Sequence, residues 1–159
     1  MFKKEDFLLG YAPTRRNVFS KEDALKYKGL TKEKIKTMGY KSVDIDDLNE
    51  EGLLVTDEDV ENAAKKFKEK GVDAVFSPHC NFGTESSVAK LAKALNKPFL
   101  LWGPRDEAPL SDGSRLRDSQ CCLFATSKIL QRMQTPFTYI INSNLDDEIF
   151  KRGFENFIR

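Results

Sequence analysis

The sequence predicts an α/β domain, a three-layer αβα sandwich with a flavodoxin-like, five-stranded parallel sheet in the order 2-1-3-4-5. Short apolar runs alternate with helical patterns five times along the chain, as is typical of strands joined by right-handed crossover helices. Three runs, at 7–9, 74–76 and 99–101, lack polar alternation, which indicates a sheet that helices cover on both faces. Five such units favour the flavodoxin-like strand order.

Each predicted strand is a short apolar run bounded by polar or helical segments. The strands are predicted over 6–12, 41–45, 72–77, 99–102 and 137–141. The intervening segment 46–55 is polar and is predicted to be irregular.

The helices are predicted from their end signals and from apolar residues spaced by one turn. The second is the clearest, because Thr56 can cap its start and Gly71 can end it. Its apolar residues at i, i+3, i+4 and i+7 are Val60, Ala63, Ala64 and Phe67. The other helices are predicted to begin at Ser20, at Thr84 or Glu85, at Asp118 and at Asp146. The helix after Asp118 is apolar on several sides, so we expect it to be well buried.

Length and charge limit the possible classes of protein. The 159 residues fit one domain over 1–159, and 26 basic against 25 acidic residues leave a net charge of +1. This balance predicts neither a nucleic-acid nor an anionic-membrane partner. No apolar run approaches the roughly 20 residues that a membrane helix needs. Without a recognisable export signal, we expect a cytoplasmic protein.

The cysteines and the histidine are few. Cys80, Cys121 and Cys122 are expected to be reduced thiols, with the adjacent pair packed in the helix core. A single histidine, His79, excludes most zinc sites, which need several Cys or His ligands.

Two loops are expected to form a ligand crevice. In a sheet of this order the crevice lies beyond the carboxyl ends of strands 1 and 3, where 13–17 and 78–85 should face each other. The loop over 103–117 is also long for a connection between a strand and a helix. Candidate residues with guanidinium, imidazole, amide, hydroxyl, carboxylate or aromatic groups are Arg15, Arg16, Asn17, His79, Asn81, Phe82, Thr84, Glu85, Trp102 and Arg105.

Other flavodoxin-like functions lack their motifs. The first loop, TRRNVFS, is bulky and has no glycine, so it does not suit the phosphate of a flavin mononucleotide. A phosphoacceptor domain would need an acidic pair after strand 1 and a lysine ending strand 5, and neither is present. No GxGxxG and no GxxxxGK[ST] motif occurs.

Three segments resemble the N-terminal domain of the L-fucose isomerase family, which is related more distantly to L-arabinose isomerases. They are GYAPTRRNVFS, VDAVFSPHCNFGTESSVAKLAKAL and PFLLWGPRDEAPLSDGSRLRDSQCCLFATSKIL. The similarity spans nearly the whole chain.

The resemblance implies a metal-dependent aldose–ketose isomerase of carbohydrate metabolism. Such enzymes move hydrogen between C1 and C2 of a sugar, with a divalent ion, usually Mn²⁺, holding two substrate oxygens. Their metal ligands lie in later domains, so we expect no catalytic residue, no metal ligand and no cofactor in this chain. We expect an N-terminal part of a longer chain, inactive alone. Its expected partners are the remaining domains, a sugar, and further copies in a homo-oligomer.

The resemblance also implies roles for some loop residues. Arg16 or Arg15 matches an arginine that contacts the sugar in a neighbouring subunit's site. His79 and Phe82 stand where the family has an aromatic residue. A guanidinium can donate to vicinal hydroxyls, and an aromatic ring can pack on the C–H face of a sugar.

Two alternatives remain open from the residues themselves. The chain could be a free-standing module that binds a small anion or sugar phosphate through Arg15, Arg16 and the helix end at Thr84. It could also be a small enzyme that uses His79 as base and Cys80 as nucleophile.

Overall fold

The computed structural model of the protein describes residues 6–159. The strands are β1 (Leu8–Tyr11), β2 (Lys41–Val43), β3 (Ala74–Pro78), β4 (Phe99–Pro104) and β5 (Thr138–Ser143). The helices are α1 (Lys21–Thr37), α2 (Asp57–Lys70), α3 (Glu85–Leu95), α4 (Ser119–Arg132) and α5 (Glu148–Ile158). All strand pairs are parallel, and the sheet order is β2-β1-β3-β4-β5. The predicted fold is therefore confirmed.

Helices cover both faces of the sheet, which explains why the central strands lack polar alternation. One core cluster joins α2, α3 and α4 to the sheet through residues such as Phe67, Leu91 and Leu123. A second joins α1 and α5 to the other face through residues such as Ile35 and Phe150. Within residues 6–159, no helix combines the length and the apolar character that crossing a bilayer requires.

Helix α2 has the ends that its sequence predicts. The Thr56 hydroxyl accepts from the backbone N–H of Asp59, while the Asp59 carboxylate accepts from that of Thr56, forming a capping box. Gly71 ends the helix in the left-handed region at φ +66°, where a residue without Cβ is unstrained.

Helix α4 departs from its prediction at the N-terminus. Asp118 stands at the N-cap, but its φ is +52° and its side chain makes no capping hydrogen bond. Asp106 supplies the cap instead, since its carboxylate accepts from the backbone N–H groups of Ser119 at 2.8 Å and Gln120 at 3.0 Å. The long loop after β4 thus returns to the start of the next helix.

The expectation that α4 is well buried is wrong for its outer face. Cys122 and Leu123 are fully buried, but Cys121 and Phe124 are exposed. The helix covers β4 with one face only, because it lies over the last strands of the sheet and nothing within residues 6–159 covers its far side.

The segment 46–55 is irregular, as predicted, but it is not a surface loop throughout. Leu53 and Leu54 are fully buried, and the Leu54 N–H donates to the carbonyl of Pro13 at 2.8 Å. The Asn49 side chain holds the turn, because its Oδ1 accepts from the Gly52 N–H at 2.7 Å. This folded segment forms a flank of the loop after β1.

Candidate functional site

The loops after β1 and β3 meet at the carboxyl edge of the sheet. Thr14 is their junction: its N–H donates to the Pro78 carbonyl and its own carbonyl accepts from the Cys80 N–H, both at 3.0 Å. Its hydroxyl oxygen accepts from the N–H of Thr84, also at 3.0 Å. The two loops therefore form one surface, as the strand order predicts.

Gly83 makes the tight entry into α3. Its φ is +85°, and a Cβ there would lie 2.8 Å from Thr14 Cγ2 and 2.9 Å from His79 Cδ2. Any larger residue would push the two loops apart. Thr84 follows at the N-cap, but its hydroxyl donates to the Arg15 carbonyl at 2.8 Å instead of capping the helix.

Asn81 is a buried clamp between the loops. Its Oδ1 accepts from the N–H of Arg16 at 2.7 Å, and its Nδ2 donates to the carbonyls of Arg16 and Ser20, each at 3.2 Å. Both ends of the amide are thus used inside the protein. Asn81 fixes the backbone on which Arg16 and Asn17 stand, and Asn17 is exposed at the tip of the loop.

Arg16 lies against one ring of a stacked aromatic pair. Its guanidinium carbon is 4.8 Å from the centroid of Phe82, and Phe82 stacks on Phe19 at 5.2 Å with an interplanar angle of 11°. Its Nη2 donates to the Glu85 carboxylate. We call Arg16, Phe82 and Phe19 the Arg16 stack. The Arg16 side chain stays 35% exposed, so it can still reach a ligand.

The charge on Arg16 is balanced locally. Burial raises the pKa of Glu85, but hydrogen bonding to Arg16 outweighs this with the help of the helix backbone and keeps the pKa below its usual value. Glu85 is therefore a carboxylate at neutral pH, and the pair offers one donor and one acceptor side by side.

Arg15 forms an ion pair with a second carboxylate. Its Nε and Nη2 both donate to Glu51, with Nη2 at 2.9 Å, and Lys21 approaches the same carboxylate at 2.7 Å. The hydrogen bonds from Arg15, supported by Lys21, lower the pKa of Glu51 to about 2. Both arginines proposed for an anion are thus already paired.

His79 and Cys80 do not form a base and nucleophile. Both are fully buried, and His79 Nε2 contacts the Thr126 hydroxyl at 2.9 Å. Burial lowers the pKa of His79 to about 4 and raises that of Cys80 to about 12. A neutral thiol without access to solvent is a poor nucleophile, so the structure does not support the small-enzyme alternative.

Trp102 and Arg105 lie elsewhere. Trp102 is fully buried against Phe150, with ring centroids 4.7 Å apart, and its Nε1 donates to Ser143 at 3.0 Å. It is a core residue, so it cannot serve as a sugar platform in this structure. Arg105 donates to Asn142 Oδ1 at 3.1 Å and to its carbonyl at 2.9 Å, which joins the ends of β4 and β5.

Sequence reasoning missed the partners that hold the site. Phe19 directly precedes the N-cap of α1, a position where apolar residues often pack, and this signal could have identified it. Glu85 was a candidate from the sequence, whereas Glu51 was not. Neither has a local signal that pairs it with an arginine, since Glu51 lies 36 residues from Arg15 and Glu85 lies 69 residues from Arg16.

Arg117 was also missed, although it anchors the long loop. It is fully buried, donates to Glu107 at 2.9 Å and to the Arg105 carbonyl at 2.6 Å, and stacks 3.7 Å from the centroid of Tyr27. The loop over 105–118 is therefore a folded wall next to α1.

The part of the chain that the structure describes does not fit a metal centre. Among residues 6–159, no group of three or more His, Cys, Asp and Glu side chains is arranged to hold an ion. The arrangement offers a guanidinium, a carboxylate and an aromatic face, which are binding groups for hydroxyls and C–H surfaces.

Comparison with known proteins gives one family. Residues 10–159 match the model of the family described as fucose/sulfoquinovose isomerase, N-terminal domain. No curated protein matches the chain.

Two solved structures resemble the chain weakly. An azoreductase from Bacillus anthracis str. Sterne is 13% identical with a TM-score of 0.42, over 95% of this chain and 96% of that one. A GDSL-like lipase from Bacteroides thetaiotaomicron VPI-5482 is 14% identical with a TM-score of 0.43, over 99% of this chain and 88% of that one. Similarities this low carry no argument about function.

Proposed function

Because this chain belongs to the family of fucose/sulfoquinovose isomerase N-terminal domains, we propose that it supplies one wall of the sugar site of an aldose–ketose isomerase. The observation that carries this is the Arg16 stack, which holds a partly exposed arginine side chain beside Glu85 at the crevice between β1 and β3. The resemblance in the loop sequences implies the same role for Arg16 or for its neighbour Arg15.

The wall suits an uncharged, hydroxyl-bearing ligand. Arg16 can donate to one hydroxyl of a vicinal pair while Glu85 accepts from the other. The ring of Phe82 is partly exposed and offers an apolar surface for sugar C–H groups. Since each arginine of the crevice is paired with a carboxylate, a phosphate would have to compete with Glu51 or Glu85.

In this proposal the reacting groups come from polypeptide outside residues 6–159. A divalent ion such as Mn²⁺ would act as template and Lewis acid for hydrogen transfer between C1 and C2. The described residues provide no ligand set for it. This chain's own contribution is therefore to bind and orient the sugar, together with the other domains that an N-terminal domain implies.

An isomerase assay tests this division of labour. The purified chain with Mn²⁺ and L-fucose is expected to give no ketose above background, and turnover would overturn the proposal. In the isomerase that carries this domain, Arg16→Ala is expected to lower kcat/KM by about 10- to 100-fold, the loss of a charge-assisted hydrogen bond. Arg16→Lys should have a kcat/KM between those of Arg16→Ala and wild type, because lysine keeps the positive charge but lacks the planar guanidinium.

The anion-binding alternative makes the opposite prediction. A free-standing phosphate module would be stabilised by its ligand, so inorganic phosphate would raise the melting temperature. We expect no rise, because both guanidiniums are already occupied by carboxylates.

A further inference from the structure

Glu85 brings a negative charge to the Arg16 stack. It is the first residue of α3, and its carboxylate accepts a hydrogen bond from Nη2 of Arg16. The same carboxylate accepts a hydrogen bond from the backbone N–H of Glu85 itself. The carboxylate is therefore held from two directions, at the point where the loops after β1 and β3 meet.

Both members of this ion pair reach the crevice. The side chain of Glu85 is 23% exposed and that of Arg16 is 35% exposed, so each can contact a ligand while the pair is intact. A hydroxyl group suits the pair, because its oxygen can accept from Arg16 while its hydrogen is donated to Glu85. An ionised phosphate or sulfonate has only acceptor oxygens, so it can use Arg16 but not Glu85.

The neighbouring charged groups are engaged with one another. Arg15 donates to Glu51 through both Nε and Nη2, and Lys21 lies 2.7 Å from the same carboxylate. The side chain of Arg15 is only 11% exposed. Arg16 is therefore the more accessible guanidinium of the crevice, and Glu85 already lies against it.

We propose that Glu85 is a specificity-determining residue, which favours uncharged sugars in the crevice over sugars that carry a phosphate or a sulfonate. This inference rests on the proposed function and extends it, because it assigns selection by charge to one side chain. A neutral sugar leaves the ion pair with Arg16 in place, whereas an anion must displace Glu85 or lie next to its like charge. Selection against a competitor often depends on such a repulsive group.

A purely structural role for Glu85 would give a different result. Phe82, whose ring centroid is 4.8 Å from the Arg16 guanidinium, supports that side chain as well. If Glu85 only added to this support, its neutral replacement would weaken binding of neutral and anionic ligands alike. If Glu85 selects by charge, the replacement weakens binding of the neutral ligand and strengthens binding of the anion. Opposite changes for two ligands therefore distinguish selection from support.

NMR titration of the isotope-labelled 159-residue chain makes this comparison, with L-fucose as the neutral probe and inorganic phosphate as the anionic probe. Ionic strength is held constant, because salt screens interactions between exposed charges. For wild type we expect shifts in 14–19 and 81–85 with L-fucose but not with phosphate. Glu85→Gln should bind phosphate at these residues at least about 10-fold more tightly than wild type, and L-fucose about 3- to 10-fold more weakly.

Two variants control this experiment. Glu22→Gln makes the same change of charge in the exposed first turn of α1, so both of its titrations should match those of wild type. Glu85→Asp keeps the carboxylate, so it should still exclude phosphate. If the amide spectrum shows that Glu85→Gln does not fold, Glu85→Ala gives the same comparison, because alanine suits a helix.

The outcomes separate this inference from the proposed function. L-fucose binding in wild type without a gain of phosphate binding in Glu85→Gln would overturn the inference and leave the proposed function intact. Phosphate binding by wild type in these loops, or an equal gain in Glu22→Gln, would overturn it as well. Absence of L-fucose shifts in wild type would overturn the proposed function and this inference with it.

Discussion

The guanidinium of Arg16 lies 4.8 Å from the ring centroid of Phe82. The two residues come from different loops, one after β1 and one after β3, so this contact exists only when the parallel strands bring the loops together. Phe19 stacks on the same ring and Glu85 binds the guanidinium, so Arg16 is held from two directions. Such a residue can meet a ligand with little loss of conformational freedom.

Removal of the ring should loosen this arrangement. Phe82→Ala deletes the contacts to both Arg16 and Phe19 and is expected to lower the free energy of unfolding by about 1 to 2 kcal/mol. Urea denaturation measures the change. The control Phe82→Tyr keeps the ring, so its free energy of unfolding should stay close to that of wild type. If the free energy of unfolding of Phe82→Ala also equals that of wild type, the stack does not hold the loops together.

Glu51 should make the protein sensitive to acid. Its pKa of about 2 lies below its ordinary value of 4.5, so its stabilising contribution is present above about pH 4.5 and is lost as the pH falls toward 2. Glu51→Gln is expected to lower the free energy of unfolding by about 2 kcal/mol at pH 7, allowing for screening by solvent. The difference from wild type should shrink below pH 4.5.

The matched control for Glu51 is Glu61→Gln, on the exposed face of α2. Urea unfolding at several pH values should give the control the same profile as wild type. A gap between wild type and Glu51→Gln that stays constant from pH 7 to pH 2.5 would mean that Arg15 does not depress the pKa of Glu51.

His79 should titrate far below a free histidine. Burial lowers its pKa from 6.5 to about 4, so the folded state resists protonation that the unfolded state accepts. The contribution of His79 to the free energy of unfolding should therefore be fully present above pH 6.5. It should decrease by about 1.4 kcal/mol for each pH unit as the pH falls from 6.5 to 4. Because the chain has a single histidine, its NMR titration is unambiguous. A midpoint near 6.5 would show that the imidazole reaches solvent.

Arg117 should be the strongest polar anchor of the loop over 105–118. Arg117→Ala leaves Glu107 and the Arg105 carbonyl without their donor and empties the space beside Tyr27, so we expect a loss of about 3 kcal/mol in unfolding free energy. Arg115→Ala is the control, since Arg115 is exposed and should change stability by less than about 0.5 kcal/mol. Equal effects of the two variants would contradict the anchor role.

The parts of the fold that depend on nearby residues could be predicted from the sequence. Thr56 and Gly71 mark the ends of α2 because a capping box and a left-handed glycine involve residues a few positions apart. The strand order followed from the alternation of elements, since crossover handedness leaves few arrangements. The place where the two loops meet followed from that order.

The errors concern contacts between distant segments. Asp118 was expected to cap α4, but the long loop brings Asp106 to that helix, and no local pattern signals such a return. Trp102 was a site candidate because it stands at the entrance of the long loop, yet alternation along β4 directs it into the core against Phe150. The helix after Asp118 was expected to be well buried, but Phe124 on its outer face is exposed. A sequence does not show which face of a helix at the sheet's edge stays uncovered.

The central claim is that the crevice of Arg16, Phe82 and Glu85 binds a neutral sugar. Its most direct test is an NMR titration of the isotope-labelled chain with L-fucose, up to about 0.5 M to detect millimolar or weaker binding. We predict saturable shifts of the Arg16 side chain and of amides in 14–19 and 81–85, and their loss in Arg16→Ala. Shifts confined to other surfaces, or none in these loops at the highest concentration, would contradict the claim.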